Sequence, residues 1–250
     1  MTQETLRRVA PSVFATTQSA KMSNKYSFVP TYEVVEKFQK EGWEVASAKQ
    51  LGKGQFAVHE LRLRNGALPN VGDSLVEALV RNSHNGLSSF SVSMGLFRLV
   101  CSNGLTVPTS LSDTISLRHM SIDIGDVRQI TDEFANRLPI IERSVNRMEN
   151  TILDDETTMD FLKRATHVRW EKMPVPQTLN LSEFLVRDRP EDEGKSVWTT
   201  FNVIQEKFVR GGQKYTTPKG RNMTMKQLKN FNHINKINTG LWELAETYCD

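Results

Sequence analysis

The hydrophobic positions change period along the chain, from a two-residue alternation in the first half to steps of three and four in the second. Tyr26-Ser27-Phe28-Val29-Pro30 reads as an extended segment. Thr31 then caps a helix with Val34, Val35 and Phe38 on its inner face, and Gly42 stops it. Gln55 to Arg64 alternates, with Ala57, His59, Leu61 and Leu63 on one side and Glu60, Arg62 and Arg64 on the other. Leu75 to Ser83 does the same through Val76, Ala78 and Val80. Phe90 to Val100 is a long apolar run in which Phe90, Val92, Met94 and Leu96 share a side. His84-Asn85-Gly86 joins the second and third runs, and Asn-Gly is a strong hairpin signal. Ser102-Asn103-Gly104 marks another turn, and Ile115 to Ile124 is a fourth extended stretch.

Val127, Ile130, Phe134, Leu138, Ile141, Val145 and Met148 then form one continuous stripe on a long helix, with Pro139 inside it. A shorter helix covers Glu156 to Trp170 and ends before Pro174 and Pro176. Ser196 caps another, with Val197, Phe201, Ile204 and Phe208 inward and Gly211-Gly212 as its stop. Gly212 to Arg221 reads as a basic loop, and a final helix runs from about Thr224 to the end. The fold class expected is α+β: a β-β-β-α kernel, in which an antiparallel sheet with a hairpin carries a long packed helix, plus C-terminal helices. The expected organisation is a flexible segment over 1–25, a core domain over 26–185 and a basic helical region over 186–250 packed on the core. The boundary falls in the charged loop 186–195.

Net charge is only +3, so the distribution carries the information. From Lys207 to Lys236 there are eight Lys or Arg residues and no Asp or Glu, while acids cluster elsewhere, as in Asp154-Asp155-Glu156 and Glu191-Asp192-Glu193. Such segregation points to a polyanionic partner at one surface. On a wheel at about 100° per residue, Lys226, Lys229, His233 and Lys236 share one face of the last helix, opposite Leu228, Phe231, Ile234, Leu241, Trp242 and Ala245. The preceding loop adds Lys214, Lys219 and Arg221, with Tyr215 as a stacking ring, and Lys207 and Arg210 end the helix before it. A solvated face is the ordinary fate of a charge run, but acid-free runs of this length are less common. Phosphates favour the pattern through counterion release, and an aromatic ring among cations suits unstacked bases. Five such contacts to a single strand give a log–log salt slope of about −3.5.

Other chemistry is weakly signalled. The histidines at 59, 84, 119, 167 and 233 have no ligand spacing, and Cys101 and Cys249 are isolated, so neither a metal site nor a disulfide framework is expected. Asp123, Asp126, Asp154 and Asp155 are the carboxylates a metal-dependent nuclease would use, and Asp123 and Asp126 also fit the start of a helix. Glycine-bearing turns at Gly52-Lys53-Gly54 and Gly211-Gly212-Gln213-Lys214 match no phosphate loop. No cofactor, catalytic residue or nucleotide-hydrolysis signature is expected. No apolar stretch reaches membrane-spanning length.

Several strings resemble a known family. They are Tyr26-Ser27-Phe28-Val29-Pro30-Thr31, Arg81-Asn82-Ser83-His84-Asn85-Gly86 and the run Leu96 to Leu105 containing Val100-Cys101-Ser102-Asn103-Gly104. Phe201-Asn202-Val203-Ile204-Gln205-Glu206, Gly211-Gly212 and Ile237-Asn238-Thr239-Gly240-Leu241-Trp242 complete the set. Over roughly residues 25–247 the chain resembles the phage- and plasmid-associated, YfjQ-like family known as domain of unknown function nine-three-two. That resemblance implies a mobile-element context, phage, prophage or plasmid, and carries over no catalytic residue; the expected location is the cytoplasm of a bacterial host cell. A more distant likeness, of element order alone, is to single-strand annealing proteins of the RecT, Redβ and Erf type, which act as rings or filaments without ATP. The expected function is therefore an ATP-independent, oligomeric binder and annealer of single-stranded DNA. Its expected contacts are Lys207, Arg210, Lys214, Tyr215, Lys219, Arg221, Lys226, Lys229 and Lys236, with Arg81, His84 and Arg98 near the hairpin as further ones. The alternatives are the nuclease above and a host-directed protein-binding factor engaging the acidic loop around Glu191.

Overall fold

The computed structural model describes residues 1–23, 26–98, 104–106, 127–171, 175–176, 178–217 and 219–249. The expected strand Ile115–Ile124, the Ser102-Asn103 turn, Cys101, Asp123 and Asp126 lie outside the described residues. The chain divides into two compact units. The first runs from Met1 to Phe97 and takes in the long helix as far as Pro139; the second holds Arg98 and everything described from Ile140 onward. The division therefore falls inside a helix rather than at the charged loop 186–195.

The first unit contains α1 (Gln3–Val9), α2 (Thr31–Lys40), β1 (Trp43–Leu51), β2 (Val58–Asn65), β3 (Ser74–Asn82) and β4 (Ser91–Arg98), followed by the start of α3 (Val127–Asn150). These four strands are neighbours in the order β1-β2-β3-β4, with β1–β2 and β2–β3 antiparallel, so the class is α+β as expected, and β1 is a strand the pattern did not suggest. The alternation sets the buried face: Leu61 and Leu63 on β2, Val76, Ala78 and Val80 on β3, and Val92, Met94 and Leu96 on β4 are all buried. β1 escaped because its register shifts between Val45 and Ser47. Trp43 and Val45 are buried, but the next buried β1 side chain is Ala48, so the two-residue alternation breaks at a bulge. Trp43 is the hub of this unit. Its ring meets Phe38 of α2 at 5.5 Å and Phe134 of α3 at 6.2 Å, both edge-on, and its Nε1 donates to Thr131 Oγ1 at 3.0 Å.

The N-terminal segment is helical over Gln3–Val9 rather than irregular. Thr2 caps α1 by accepting from the Thr5 amide, and Leu6, Ala10 and Val13 are buried. The N-terminal ammonium donates to the Val45 carbonyl at 2.7 Å. Burying a leucine contributes about 2 kcal/mol, enough to hold a short capped helix on the sheet.

A chain of buried polar groups joins the segments around β2 and β3. Asn82 Nδ2 donates to Val29 O and to Thr31 Oγ1, at 3.0 and 2.9 Å. The Thr31 hydroxyl donates to His59 Nε2 at 2.9 Å, His59 Nδ1 meets Ser12 Oγ at 2.8 Å, and Ser12 donates to Gln50 Oε1 at 2.7 Å. The bonds close with a neutral, Nδ1-protonated His59. Thr31 is thus the first residue of α2 and not its cap, because its hydroxyl is used by His59. Burial first, then the nearby His84, pushes the His59 pKa down from 6.5 to about 3.

The second unit contains β5 (Gly104–Thr106), α4 (Asp155–Arg169), α5 (Val197–Arg210), β6 (Lys214–Thr216), β7 (Asn222–Thr224) and α6 (Phe231–Glu246), with the remainder of α3. Ser196 caps α5 by accepting from the Thr199 amide at 3.1 Å, and Val197, Phe201, Ile204 and Phe208 are fully buried. The rings of Phe201 and Trp198 meet Trp242 of α6 edge-on, and Gln205 Nε2 donates to Asn238 Oδ1 at 2.9 Å between the same two helices. Gly240 lets α4 approach α6: a Cβ there would stand 2.8 Å from Val168 Cγ1. The last helix begins at Phe231, capped by Asn230, not near Thr224, and the expected loop 212–221 is largely a two-stranded hairpin.

Two predictions follow from this packing. Because the folded pKa of His59 lies below its unfolded value, the unfolded chain binds the extra proton between pH 6.5 and about 3. His59's contribution is complete above pH 6.5 and lost on acidification through that window, at about 1 kcal/mol per pH unit. Urea unfolding across pH checks this, with His59→Gln expected to lower stability at neutral pH and flatten that part of the profile. Separately, Gly240→Ala gains helix propensity but overpacks against Val168, and a net cost of about 1–3 kcal/mol is expected. Val168→Ala in the same chain should recover part of the loss in denaturant melts.

Candidate nucleic-acid interface

The acid-free tract folds into an arm. Gly211 ends α5 with φ +70°, a left-handed conformation, and a Cβ at that position would strike the Met225 carbonyl oxygen and the Lys226 backbone. That close approach starts the ladder: Gly212 N donates to Met225 O and Met225 N to Gln213 O, both at 2.8 Å. Lys214, Tyr215 and Thr216 then pair with Thr224, Met223 and Asn222. Toward the tip, Thr217 N donates to Arg221 O at 2.9 Å, and the Arg221 amide donates to Thr217 Oγ1 at 3.1 Å. One edge is anchored: Thr216 N donates to Thr178 Oγ1 at 2.6 Å, and the Thr178 hydroxyl donates back to Thr216 O at 2.9 Å. Gln213 and Met225 are buried at the base of the arm. Tyr215 and Met223, paired further out, are half-buried and exposed respectively.

The expected contact residues separate into two groups. Lys214, Lys219 and Arg221 are exposed on the arm, and Lys226 and Lys229 are exposed on the extended segment that leads to α6. None of these five makes an ion pair among the described residues. Lys226 and Lys229 precede α6, so they do not share a helix face with His233 and Lys236. The other three are neutralised. Lys207 pairs with Asp188 at 2.6 Å, Arg210 with Glu206 and Lys236 with Glu171. The Lys207 hydrogen bond holds the Asp188 carboxyl below the usual carboxylate range.

The further contacts are buried or already paired. His84 is fully buried, its ring 4.9 Å from Phe28 and 5.4 Å from His59. Arg81 is bound to Glu60 at 2.6 Å. Arg98 is 8% exposed and donates to Asp192 at 2.8 Å; Arg189 binds the other Asp192 oxygen and also Glu206. Of the carboxylates suggested for metal chemistry, Asp154 caps α4, its pKa lowered by its bonds to Thr157, and Asp155 pairs with Lys195 at 2.7 Å. Among the described residues no cluster of three or more His, Cys, Asp or Glu could hold a metal. No described helix is long and apolar enough to cross a membrane.

What the geometry defines is an α+β protein whose second unit carries a cationic two-stranded arm. The chain belongs to the family described as a domain of unknown function, DUF932, whose profile matches residues 19–237. It is 30% identical to UPF0380 protein YafZ of Escherichia coli (strain K12) over 98% of this chain and 90% of that protein. It is 29% identical to UPF0380 protein YfjQ of the same strain, over 99% and 91%. No solved structure matches.

Four of the strings that carry the family resemblance meet in pairs. Tyr26 OH donates to Ser83 O, and Asn82 bonds Val29 and Thr31, joining the first two. Gln205 bonds Asn238, joining Phe201–Glu206 to Ile237–Trp242. Arg98 is the buried partner of Asp192. These motifs fix packing, and their partners lie too far apart in the chain for spacing to expose them.

A stability comparison distinguishes the two kinds of cation. Arg98→Ala leaves Asp192 short of one of its two guanidinium partners in the interior, an expected cost of about 3 kcal/mol or more in denaturant unfolding. Lys219→Ala should fall within about 0.5 kcal/mol of the parent.

Proposed function

We propose that this chain is an ATP-independent single-stranded DNA-binding and annealing protein of a phage or plasmid, acting as an oligomer in recombination or replication. The observation that carries this reading is the set of five exposed cations, Lys214, Lys219, Arg221, Lys226 and Lys229, on and beside one arm, with no carboxylate partner among the described residues. A carboxylate within reach would compete with phosphate; the tract itself contains none. Tyr215 and Met223 give the arm an aromatic and an apolar surface between the cations, suited to base faces of any sequence. Phosphates held on lysine and arginine leave the Watson–Crick edges open for a second strand, which is what annealing without ATP requires. The order of strands followed by a long helix is also that of the annealing proteins, an analogy of architecture that adds to the reading without carrying it.

Fluorescence anisotropy with an oligothymidylate, between about 50 and 200 mM salt, provides the test. Five phosphate contacts give a log–log slope of about −3.5, and the charge reversals Lys226→Glu and Lys229→Glu together should weaken binding and flatten that slope by about 1.4. Unchanged affinity and slope in the double variant would defeat the assignment. Mass photometry with and without the oligonucleotide reads the assembly state in the same samples.

A further inference from the structure

A second feature of this unit is a cavity of about 420 Å³ between the end of α4 and the first turns of α6, within the size range of small-ligand sites. Val168, Trp170 and Ile237 give it apolar walls, and Arg169, His233 and Lys236 stand at it. Arg169 is the unusual group. Its guanidinium is half-buried and lies 5.4 Å from the Trp170 ring centroid. Its Nε donates to the Phe208 carbonyl at 3.3 Å, which fixes the plane. Its two terminal nitrogens have neither a hydrogen bond nor a carboxylate among the described residues. The unused donors of this half-buried guanidinium are open to water or to an anion, and its orientation is already fixed. The His233 imidazole likewise makes no hydrogen bond to a described residue, although its backbone amide is taken by the Asn230 cap.

The charges around the cavity agree. Burial first, then Arg169 and Lys236, hold His233 below the ordinary imidazole range, and burial lowers Arg169. Glu171, paired with Lys236, is the one carboxylate lining the cavity among the described residues. Tyr215 of the arm acts on Arg169 electrostatically, and Lys229 directly precedes the Asn230 cap of the helix that lines the cavity.

We propose that this cavity is a subsite for one nucleotide unit: the base enters between Val168, Trp170 and Ile237, and its phosphate is bound by the Arg169 fork with His233. The inference rests on the strand-binding reading for its source of nucleotide, and deepens it, since one base drawn out of line would fix the register of the strand on the arm. A planar fork on a phosphate also explains why an arginine, rather than another surface lysine, occupies this position.

The experiment is a titration of the full chain with dTMP, thymidine and inorganic phosphate, followed by the histidine ring resonances of His233. Saturable shifts with dTMP at millimolar concentration, with the His233 pKa raised by about one unit as the phosphate arrives, are expected. Thymidine should shift the ring without raising the pKa. Arg169→Gln should weaken dTMP about tenfold. Asn232→Trp, which places a ring at the exposed mouth of the cavity, should abolish the response while the parent's unfolding curve is retained. No dTMP-dependent change in His233 overturns the proposal, as does a full response to inorganic phosphate alone. If Lys226→Glu with Lys229→Glu abolishes oligonucleotide binding while dTMP still moves His233, both ideas stand. If the parent binds dTMP but no oligonucleotide, the subsite stands and the strand reading falls.

Discussion

A carboxylate removed from water has to be met by cations, and this requirement decides which basic groups of the protein are left for anything else. It is met repeatedly in the same way. Glu77 is fully buried on β3 and is gripped by Arg62 and Arg64 from the neighbouring strand. Asp192 lies between Arg98 and Arg189, and Glu206 between Arg189 and Arg210. Each time two guanidiniums answer one carboxylate, with the fork geometry that lets both oxygens be satisfied at once. Five arginines are committed to the interior or its rim by this rule. Lysines, whose compact and strongly hydrated charge suits the surface, make up most of what is left over in the acid-free tract.

That rule also explains what sequence could and could not show. Alternation exposed β2, β3 and β4, and the three-and-four spacing from Val127 to Met148 exposed α3, because in those segments one face is buried along the whole length and periodicity is burial written into the chain. β1 was hidden by a bulge that moves its buried positions from Val45 to Ala48. The arm was hidden because its strands are three residues long and polar, and their pairing depends on a backbone approach at Gly211 that a glycine pair only hints at. The start of α6 was misplaced because Leu228 extends the apolar stripe backward on a wheel, whereas the Leu228 amide in fact donates to Val209 O in an extended segment.

The cations of the candidate interface were legible as a composition; their partition was not. Asp188 lies 19 residues from Lys207, and Glu171 lies 65 residues from Lys236. An acid-free window therefore says nothing about acids that folding brings in from outside it. Arg169 was missed for the opposite reason. It belongs to an unremarkable helix end, and its significance lies in donors without a partner among the described residues, a property with no trace in one dimension.

The separation of roles has a consequence for how this protein can vary. A guanidinium that satisfies a buried carboxylate cannot be moved without leaving a charge stranded, so Arg98 and Arg189 are fixed by stability whatever the protein binds. Lys214, Lys219, Arg221, Lys226 and Lys229 carry no such obligation among the described residues, and the ladder that holds the arm uses backbone atoms and Thr178 rather than their side chains. Their number and placement can change with little cost to folding. Binding strength set by counterion release scales with that number. On the proposed strand-binding reading, the fold therefore lets affinity be tuned on the arm while the arginine-clamped interior stays as it is.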